Sequence, residues 1–425
     1  MTLFSAIQTG VSGLGSNGLS MQVLGDNISN LNTIGFKGSR ADFQDVLLQS
    51  IGTKGQLGAG STTARISQNF GQGSLESSTM RSDLAIDGKG FFVVDNAEGS
   101  PFYTRAGQFR LSNEGNLVNL DGLKLQGYQT LASGVVGTAV GDIQVDTEPV
   151  PGDATTTVAV TANLDAGATT AATITSPPLD FTTIANEATF TSSSVVHDSL
   201  GVPHDVTMAF YKTGTNSWIQ RSYIDAGEAG GTPGVPQEIF DATLNFTTAG
   251  ALDTATSVAT STSVTFSGAT AQSINFDMGL AATDVGVMTQ FDTPTSNVYD
   301  VDPDGNSSGD FVDFDIADDG TVNGIYSNGA TRILGKVVLA TFRAQGNLNR
   351  EGHNLYSATR DSGEAVIGDA DTGGRGSVHS FTLEGSNIDL EREFVTLIKS
   401  QKGYQASARL VSSVDDLLQE LMQIV

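Results

Sequence analysis

The 425-residue chain has no cysteine, one tryptophan, four histidines and only 21 basic residues against 47 acidic ones. Without a thiol it can form no disulfide framework, no thiolate metal site and no cysteine nucleophile. A thiol-free chain also suits passage to an oxidising exterior. No stretch approaches the ~20 apolar residues of a membrane-spanning helix. The first residues lack the basic start, apolar core and small-residue cleavage site of a secretory signal. The expectation is a chain that neither spans a membrane nor uses a cleaved signal peptide, so any exit from the cytoplasm needs a specialised route. The scarce basic residues are also unevenly spread. Between Val145 and Ala330, 24 acidic residues face only Lys212 and Arg221, which puts -22 of the formal charge of -26 in the middle of the chain. Such a surface disfavours nucleic acid and anionic lipid, and favours solubility and repulsion between undocked copies.

Heptad patterning, in contrast, is present at both ends. Phe4, Ile7, Val11, Leu14, Gly18, Met21, Gly25 and Ile28 alternate spacings of three and four, one narrow stripe along a helix. Leu390, Phe394, Leu397, Gln401, Tyr404, Ala408, Val411, Asp415, Leu418, Met422 and Val425 repeat the pattern, with Leu410, Val414, Leu417, Leu421 and Ile424 as a second stripe beside it. That face is wider than one coiled-coil seam requires and predicts more than one neighbour. Ser386 followed by Asp389, Glu391 and Glu393 predicts a capping-box-like start. Gly10, Gly13, Gly15, Gly18 and Gly25 each cost about 1 kcal/mol relative to alanine, so the N-terminal helix alone should be largely unfolded. Two readings follow: an intrachain pair capping a β domain, or helices that pair only when copies assemble. Gly18 and Gly25 fall on the stripe, where they leave little to bury within one chain, and so favour assembly.

Between the ends the pattern is β. Asn27 to Lys37 replaces periodicity with Asn, Thr and Gly, residues that end helices, and a polar, Gly-rich connector follows. From Leu84 short β runs alternate with turns such as Asp121-Gly122, and Gly335 to Phe342 is a continuous apolar run of central-strand type. The acidic stretch carries alternating strands and recurrent aromatics, which suggest sandwich- or barrel-like modules, large enough for two subdomains. The fold class expected is multidomain and mainly β, with paired N- and C-terminal α-helices of coiled-coil type and an inner β domain carrying an inserted outer one. The segments are a helix at 1–31, a connector at 32–75, the inner β domain at 76–144 and 331–385, the insert at 145–330 and a helix at 386–425.

Candidate chemistry is thin. Gly13 to Gly18 matches G-x-G-x-x-G, but no strand precedes it and Leu14 lies on the heptad stripe, so nucleotide binding is not expected. Asp300, Asp302 and Asp304 open like a calcium loop, yet the twelfth position is Phe311, which cannot supply the bidentate carboxylate. A solvated acidic turn is the main reading there and a weak calcium site the other. His197, His204, His353 and His379 show no metal spacing; His197-Asp198 and His204-Asp205 read as hairpin-surface residues. No enzyme and no cofactor are expected.

The motifs DNISNLNTIGFK at Asp26 to Lys37, Arg40 to Phe43, LAIDGKGFFVV at Leu84 to Val94, YTRAG at Tyr103 to Gly107, Asn113 to Leu117, the Asn328-Gly329 turn, the strand near Leu334 to Phe342, and Ser386 to Ala408 together closely resemble the flagellar rod and hook protein family. The acidic insert and its VVHDSLG hairpin are most similar to the hook branch; a distal rod protein is the alternative, an extracellular β-rich adhesin or glycan-binding module a more remote one. The resemblance implies a subunit that polymerises into a curved tube transmitting torque from rod to filament. It implies export without a cleaved signal through the flagellar type III apparatus to the cell exterior. It also implies partners in the distal rod protein, the hook cap and the hook–filament junction protein. The expected self-assembly residues are Phe4, Ile7, Val11, Leu14, Met21, Ile28, Phe394, Leu397, Tyr404, Ala408, Val411, Leu418 and Met422. The expected connector residues are Asn27, Asn30, Asn32, Thr33, Gly35, Phe36 and Lys37.

Overall fold

The computed structural model describes residues 3–50, 56–96, 98–131, 134–281 and 285–424, the side chains of 3–5, 47–50, 56–57 and 421–424 excepted. The side chains of Phe4 and Met422, and Val425 altogether, lie outside that description. The chain divides into two compact units, one of Met1–Asp146, Asp313–Gly324 and Thr331–Val425, the other of Thr147–Val312 and Ile325–Ala330. Residues 313–324, read from sequence as insert, belong with the first unit. Their loop is held by the strand at Thr331–Thr341, where Lys336 pairs with Asp319 at 3.1 Å and the Val337 amide donates to the Gly320 carbonyl at 2.7 Å.

The described residues form three α-helices, α1 (Leu3–Ser29), α2 (Phe181–Glu187) and α3 (Leu390–Ile424). None is long and apolar enough to cross a membrane. In the first unit α1 and α3 pack together within one chain, which corrects the expectation that they pair only on assembly. The N-cap of α3 is also corrected. Asp389 Oδ1 accepts from the amides of Glu391 and Arg392 at 3.0 and 3.3 Å, while the Ser386 hydroxyl is buried without a described partner. The connector forms an antiparallel hairpin of β1 (Ser39–Ser50) and β2 (Gln56–Gln68). Its bulges let it follow α1, where Ser61 Oγ donates to Ser16 Oγ at 3.1 Å and the Ser61 amide to Ser12 Oγ at 3.3 Å.

The central strand Thr331–Thr341 lies antiparallel to both Lys124–Thr130 and Phe91–Asp95. Its inward residues Val338 and Ala340 meet Phe91, Val93, Tyr103, Leu348 and Tyr356 in the core. Edge-to-face contacts of Phe91 with Phe70 at 5.4 Å and Phe342 at 5.9 Å tie the connector's exit to this core.

The second unit is a β sandwich. Five antiparallel strands (Phe190–His197, Pro203–Gly214, Ser217–Asp225, Pro236–Asn245, Val258–Ser261) face a sheet built on Thr157–Asp165. The alternation Val158, Val160, Ala162, Leu164 meets Val206, Met208, Phe210, Trp218 and Phe240 in a single core, so one compact unit stands where two subdomains were allowed. On the opposite face of the larger sheet, Ile184 of α2 packs against Ala209, Tyr211 and Tyr223.

Two sequence readings fail in this unit. Asp300 and Asp302 lie on the strand Asn297–Pro303, opposite Thr161 and Ala159, rather than in a loop. Asp304 is spent on the Thr156 amide and hydroxyl and the Thr157 amide, at 2.8, 2.6 and 3.0 Å. The three carboxylates are thus exposed along a paired strand and the bend after it, rather than gathered in one loop. His204 is not a surface residue. It is buried, stacked on Phe266 with centroids 3.7 Å apart, with Glu228 at 2.7 Å and Asp198 at 3.4 Å from its two ring nitrogens.

Candidate functional site

The pairing of α1 with α3 is antiparallel and uses small residues. A β-carbon on Gly10 would stand 2.7 Å from Val411 Cγ2, one on Gly13 2.7 Å from Ser407 Oγ, and one on Gly403 2.8 Å from Asn17 Oδ1. Ser20 and Ser400 share a hydrogen bond of 3.1 Å, and Asn27 Nδ2 donates to Glu393 Oε2 at 3.3 Å. The glycines allow the backbones to approach and recover within one chain the burial that their own propensity cost removes.

This seam is not the stripe expected from sequence. Gly10, Gly13, Asn17, Ser20 and Asn27 each precede by one residue Val11, Leu14, Gly18, Met21 and Ile28, and one residue is a turn of about 100° around the axis. On α3 the seam residues Glu393, Ser400, Gly403 and Ser407 likewise precede Phe394, Gln401, Tyr404 and Ala408. The apolar stripes are therefore left partly open. Val11 is 53% exposed, Phe394 46% and Tyr404 41%, while Ile7, Leu14, Met21, Ile28, Leu397, Ala408, Val411 and Leu418 are half-buried. Val411 also serves the seam, at Gly10. A β-carbon on Gly18 would lie 3.9 Å from the Tyr404 ring, so the two stripes adjoin on one side of the helix pair.

Where the helices join the sheet, a buried cluster gathers every chain segment that passes between them. Lys37 Nζ donates to Glu384 Oε1 at 2.6 Å and to the Gly71 carbonyl at 2.8 Å. Arg105 donates from Nη1 to Glu384 Oε2 at 3.1 Å and from Nη2 to the Gly88 carbonyl at 2.8 Å, and the Gly73 amide donates to Glu384 Oε1 at 2.9 Å. Lys37 and Glu384 are fully buried and Arg105 nearly so. Burial pushes the Lys37 ammonium and the Arg105 guanidinium down from their ordinary values, and Glu384 opposes both shifts. Lys37 ends the segment leaving α1, Gly71 and Gly73 lie on the return from the hairpin, and Glu384 precedes α3. The carboxylate of Glu384 thus binds the incoming chain, the returning chain and, through Arg105, the sheet.

The other connector residues orient this junction. Gly35, at φ +70, donates its amide to the Glu384 carbonyl at 2.7 Å, and a β-carbon there would meet the Arg105 carbonyl carbon at 2.6 Å. Asn27 exchanges hydrogen bonds with the Ser39 backbone at 2.8 and 2.9 Å, tying the end of α1 to the hairpin base. Asn30 Nδ2 donates to the Asp26 carbonyl at 2.8 Å and its oxygen accepts from the Thr33 hydroxyl at 3.1 Å. Phe36 is buried beneath the Arg350 guanidinium, 5.4 Å away. Asn32 is exposed. The arrangement offers rigidity rather than reactivity, since most of its polar groups are spent on backbone and on one another, Arg105 Nε being buried without a partner. Sequence reasoning missed Glu384 altogether and quoted Arg105 only as part of a motif. The signal was a lone acid between a β run and a helix cap, with a base, Lys37, closing the Asn- and Gly-rich motif that follows α1.

Three family models match the chain in order. They are the flagellar hook protein FlgE/F/G D1 domain at residues 85–163, the flagellar basal body protein FlaE D2 domain at 163–306, and the flagellar basal body rod FlgEFG protein C-terminal region at 379–424. The flagellar hook protein FlgE of Escherichia coli is 33% identical over 99% of this chain and 100% of its own. That of Rhizobium meliloti is 32% identical over the whole of both. The crystal structure of the Helicobacter pylori flagellar hook protein FlgE2 aligns with a TM-score of 0.52 over 73% of this chain and 100% of that one, at 14% identity, a likeness of fold. With identity above 30% along the whole chain, matching models at both sheet-bearing units and at the C-terminal helix, and terminal helices packed on a mainly β body, the chain belongs to the flagellar hook protein FlgE family, the structural, non-enzymatic subunits of the flagellar hook.

Proposed function

We propose that the apolar stripes of α1 and α3 are the self-assembly surface by which copies of this chain build a curved tube, a universal joint carrying torque from rod to filament. One observation carries the reading: the chain pairs its helices mainly on the stripe next to the heptad stripe and leaves the heptad stripe partly open, with Val11, Phe394 and Tyr404 each two-fifths or more exposed. Apolar area of this kind is stabilised by removal from water, at roughly 25 cal/mol per Å². The Glu384 junction would hold the helices at a set angle to the sheet, and the acidic insert would form small wet contacts that rearrange at low cost as the tube bends. Export to the cell exterior through the flagellar type III apparatus, without a cleaved signal, and docking to the distal rod protein, the hook cap and the hook–filament junction protein belong to the same reading.

Purified chain, with and without Leu410 to Val425, is induced to polymerise and viewed by electron microscopy. Curved hollow tubes from the intact chain alone support the reading. Straight tubes favour a rod role, and persistent monomer from both refutes self-assembly.

A further inference from the structure

The side of α3 turned away from α1 carries a charge pattern that the described residues of its own chain do not answer. Lys402, Arg409 and Asp416 recur every seven residues, with Glu420 one turn further, so two positive and then two negative charges line one face. The seam residues Ser400, Gly403 and Ser407 lie on the opposite side of the helix. All four charges are exposed. The nearest ion pairs along the described helices, Arg350 with Asp26 and Arg392 with Asp389, use other residues.

The spacing prevents the charges from satisfying one another. Arg409 and Asp416 are seven residues apart, beyond the three- or four-residue reach of a helix-surface pair. Asp416 and Glu420, four apart, are like-charged neighbours, the destabilising arrangement. Glu420 also lies near the C-terminal end of the helix, where the helix dipole is already negative. These are local costs that no ion pair among the described residues offsets, and an incoming cation would relieve both.

A tube grows by repeating one heterologous contact through a screw operation, so the α3 helices of neighbouring copies point the same way. Parallel helices in register would set like charge against like. A shift of 11 to 14 residues instead brings Lys402 and Arg409 of one copy beside Asp416 and Glu420 of the next. At 1.5 Å per residue that is about 17–21 Å. We propose that this face docks a second copy of the chain, α3 against α3 in parallel, staggered by about 20 Å, with these four charges setting the stagger. The proposal rests on the self-assembly reading and adds to it the register between copies.

The test is charge reversal in the full chain at low ionic strength, with assembly driven by a neutral precipitant and read by sedimentation and electron microscopy. The double variants Lys402→Glu/Arg409→Glu and Asp416→Lys/Glu420→Lys should keep the wild-type circular dichroism, because all four side chains are exposed. Each should raise the critical concentration for assembly by about tenfold or more. The quadruple variant, and a one-to-one mixture of the two doubles, should return to within about threefold of wild type, because each restores opposite signs at every contact. Doubles that assemble like wild type overturn the proposal, as does failure of both the quadruple variant and the mixture to recover. An antiparallel contact would also match the signs but would close a two-fold dimer. Ser413→Cys in this cysteine-free chain detects it, because of the two arrangements that match the signs only the antiparallel one brings two copies of residue 413 within the ~7 Å Cα separation of a disulfide. Disulfide-linked dimers in the assembled material would overturn the staggered arrangement. Wild-type chain that stays monomeric would instead overturn the self-assembly reading, and this inference with it.

Discussion

Glu384→Gln is the most informative single substitution in the helix-bearing unit. The carboxylate accepts from Lys37, Arg105 and the Gly73 amide at 2.6, 3.1 and 2.9 Å. A glutamine of the same shape has one acceptor oxygen and one donor NH₂. If its oxygen serves Lys37 and Gly73, its NH₂ points at the Arg105 guanidinium; turned over, it points at the ammonium. Either way two buried cations lose their anion, a loss worth about 3–5 kcal/mol when one partner of a buried pair is removed. For a unit of this size that corresponds to a fall in melting temperature of roughly 6–20 °C. Thermal unfolding followed by circular dichroism measures it. A second readout separates charge from packing. Burial already pushes Lys37 below its ordinary value, and losing Glu384 pushes it further. A lysine whose folded-state pKa is lowered weighs on the fold while protonated, and the burden lifts as pH rises through that lowered value towards the ~10.4 of the unfolded chain. The deficit of Glu384→Gln should therefore narrow between pH 7 and pH 10. A deficit below about 1 kcal/mol, or one independent of pH, would refute the assignment of this cluster as the electrostatic tie between helices and sheet.

Two further substitutions probe the helix seam with opposite signs. Gly10→Ala should destabilise the α1–α3 pair by up to about 2 kcal/mol, since its β-carbon meets the stiff Val411 side chain at 2.7 Å and overpacking outweighs the gain in helix propensity. Gly15→Ala, whose β-carbon meets nothing within 4 Å, should stabilise the monomer by about 1 kcal/mol. Amide exchange across residues 3–29 measures both, and equal effects would refute the assigned seam. In the inserted unit, burial raises the Asp198 carboxyl, but the amides of Val202 and Leu200 and the side chain of His204 together hold it below the usual range. A depressed acid contributes stability that is complete above about pH 4 and is lost as pH falls towards the lowered value. Urea midpoints for wild type and Asp198→Asn should thus converge between pH 5 and pH 2, and parallel curves would contradict the assignment.

Sequence alone was enough for whatever depends on residue type and short-range order. Heptad spacing marked both terminal helices, Asn and Gly marked the connector, the apolar run 335–342 marked the central strand, and several independent motifs in order marked the family. The Asp26 to Lys37 motif was legible because caps, turns and a positive-φ glycine are local requirements. What depended on which segments meet was not legible. A helix carries several stripes, and which of them faces its partner within the chain was decided by Gly10, Gly13 and Gly403 permitting the close approach, a comparison of packings that periodicity does not make. Glu384 lies 347 residues from Lys37 and 279 from Arg105, so nothing in its neighbourhood announces the pairing. His204 reads as a hairpin residue until Phe266 and Glu228 are brought against it, and Asp300 and Asp302 read as a loop until Thr157–Asp165 takes them as a strand. Local chemistry proposes a set of conformations, and only the burial shared between distant segments selects among them.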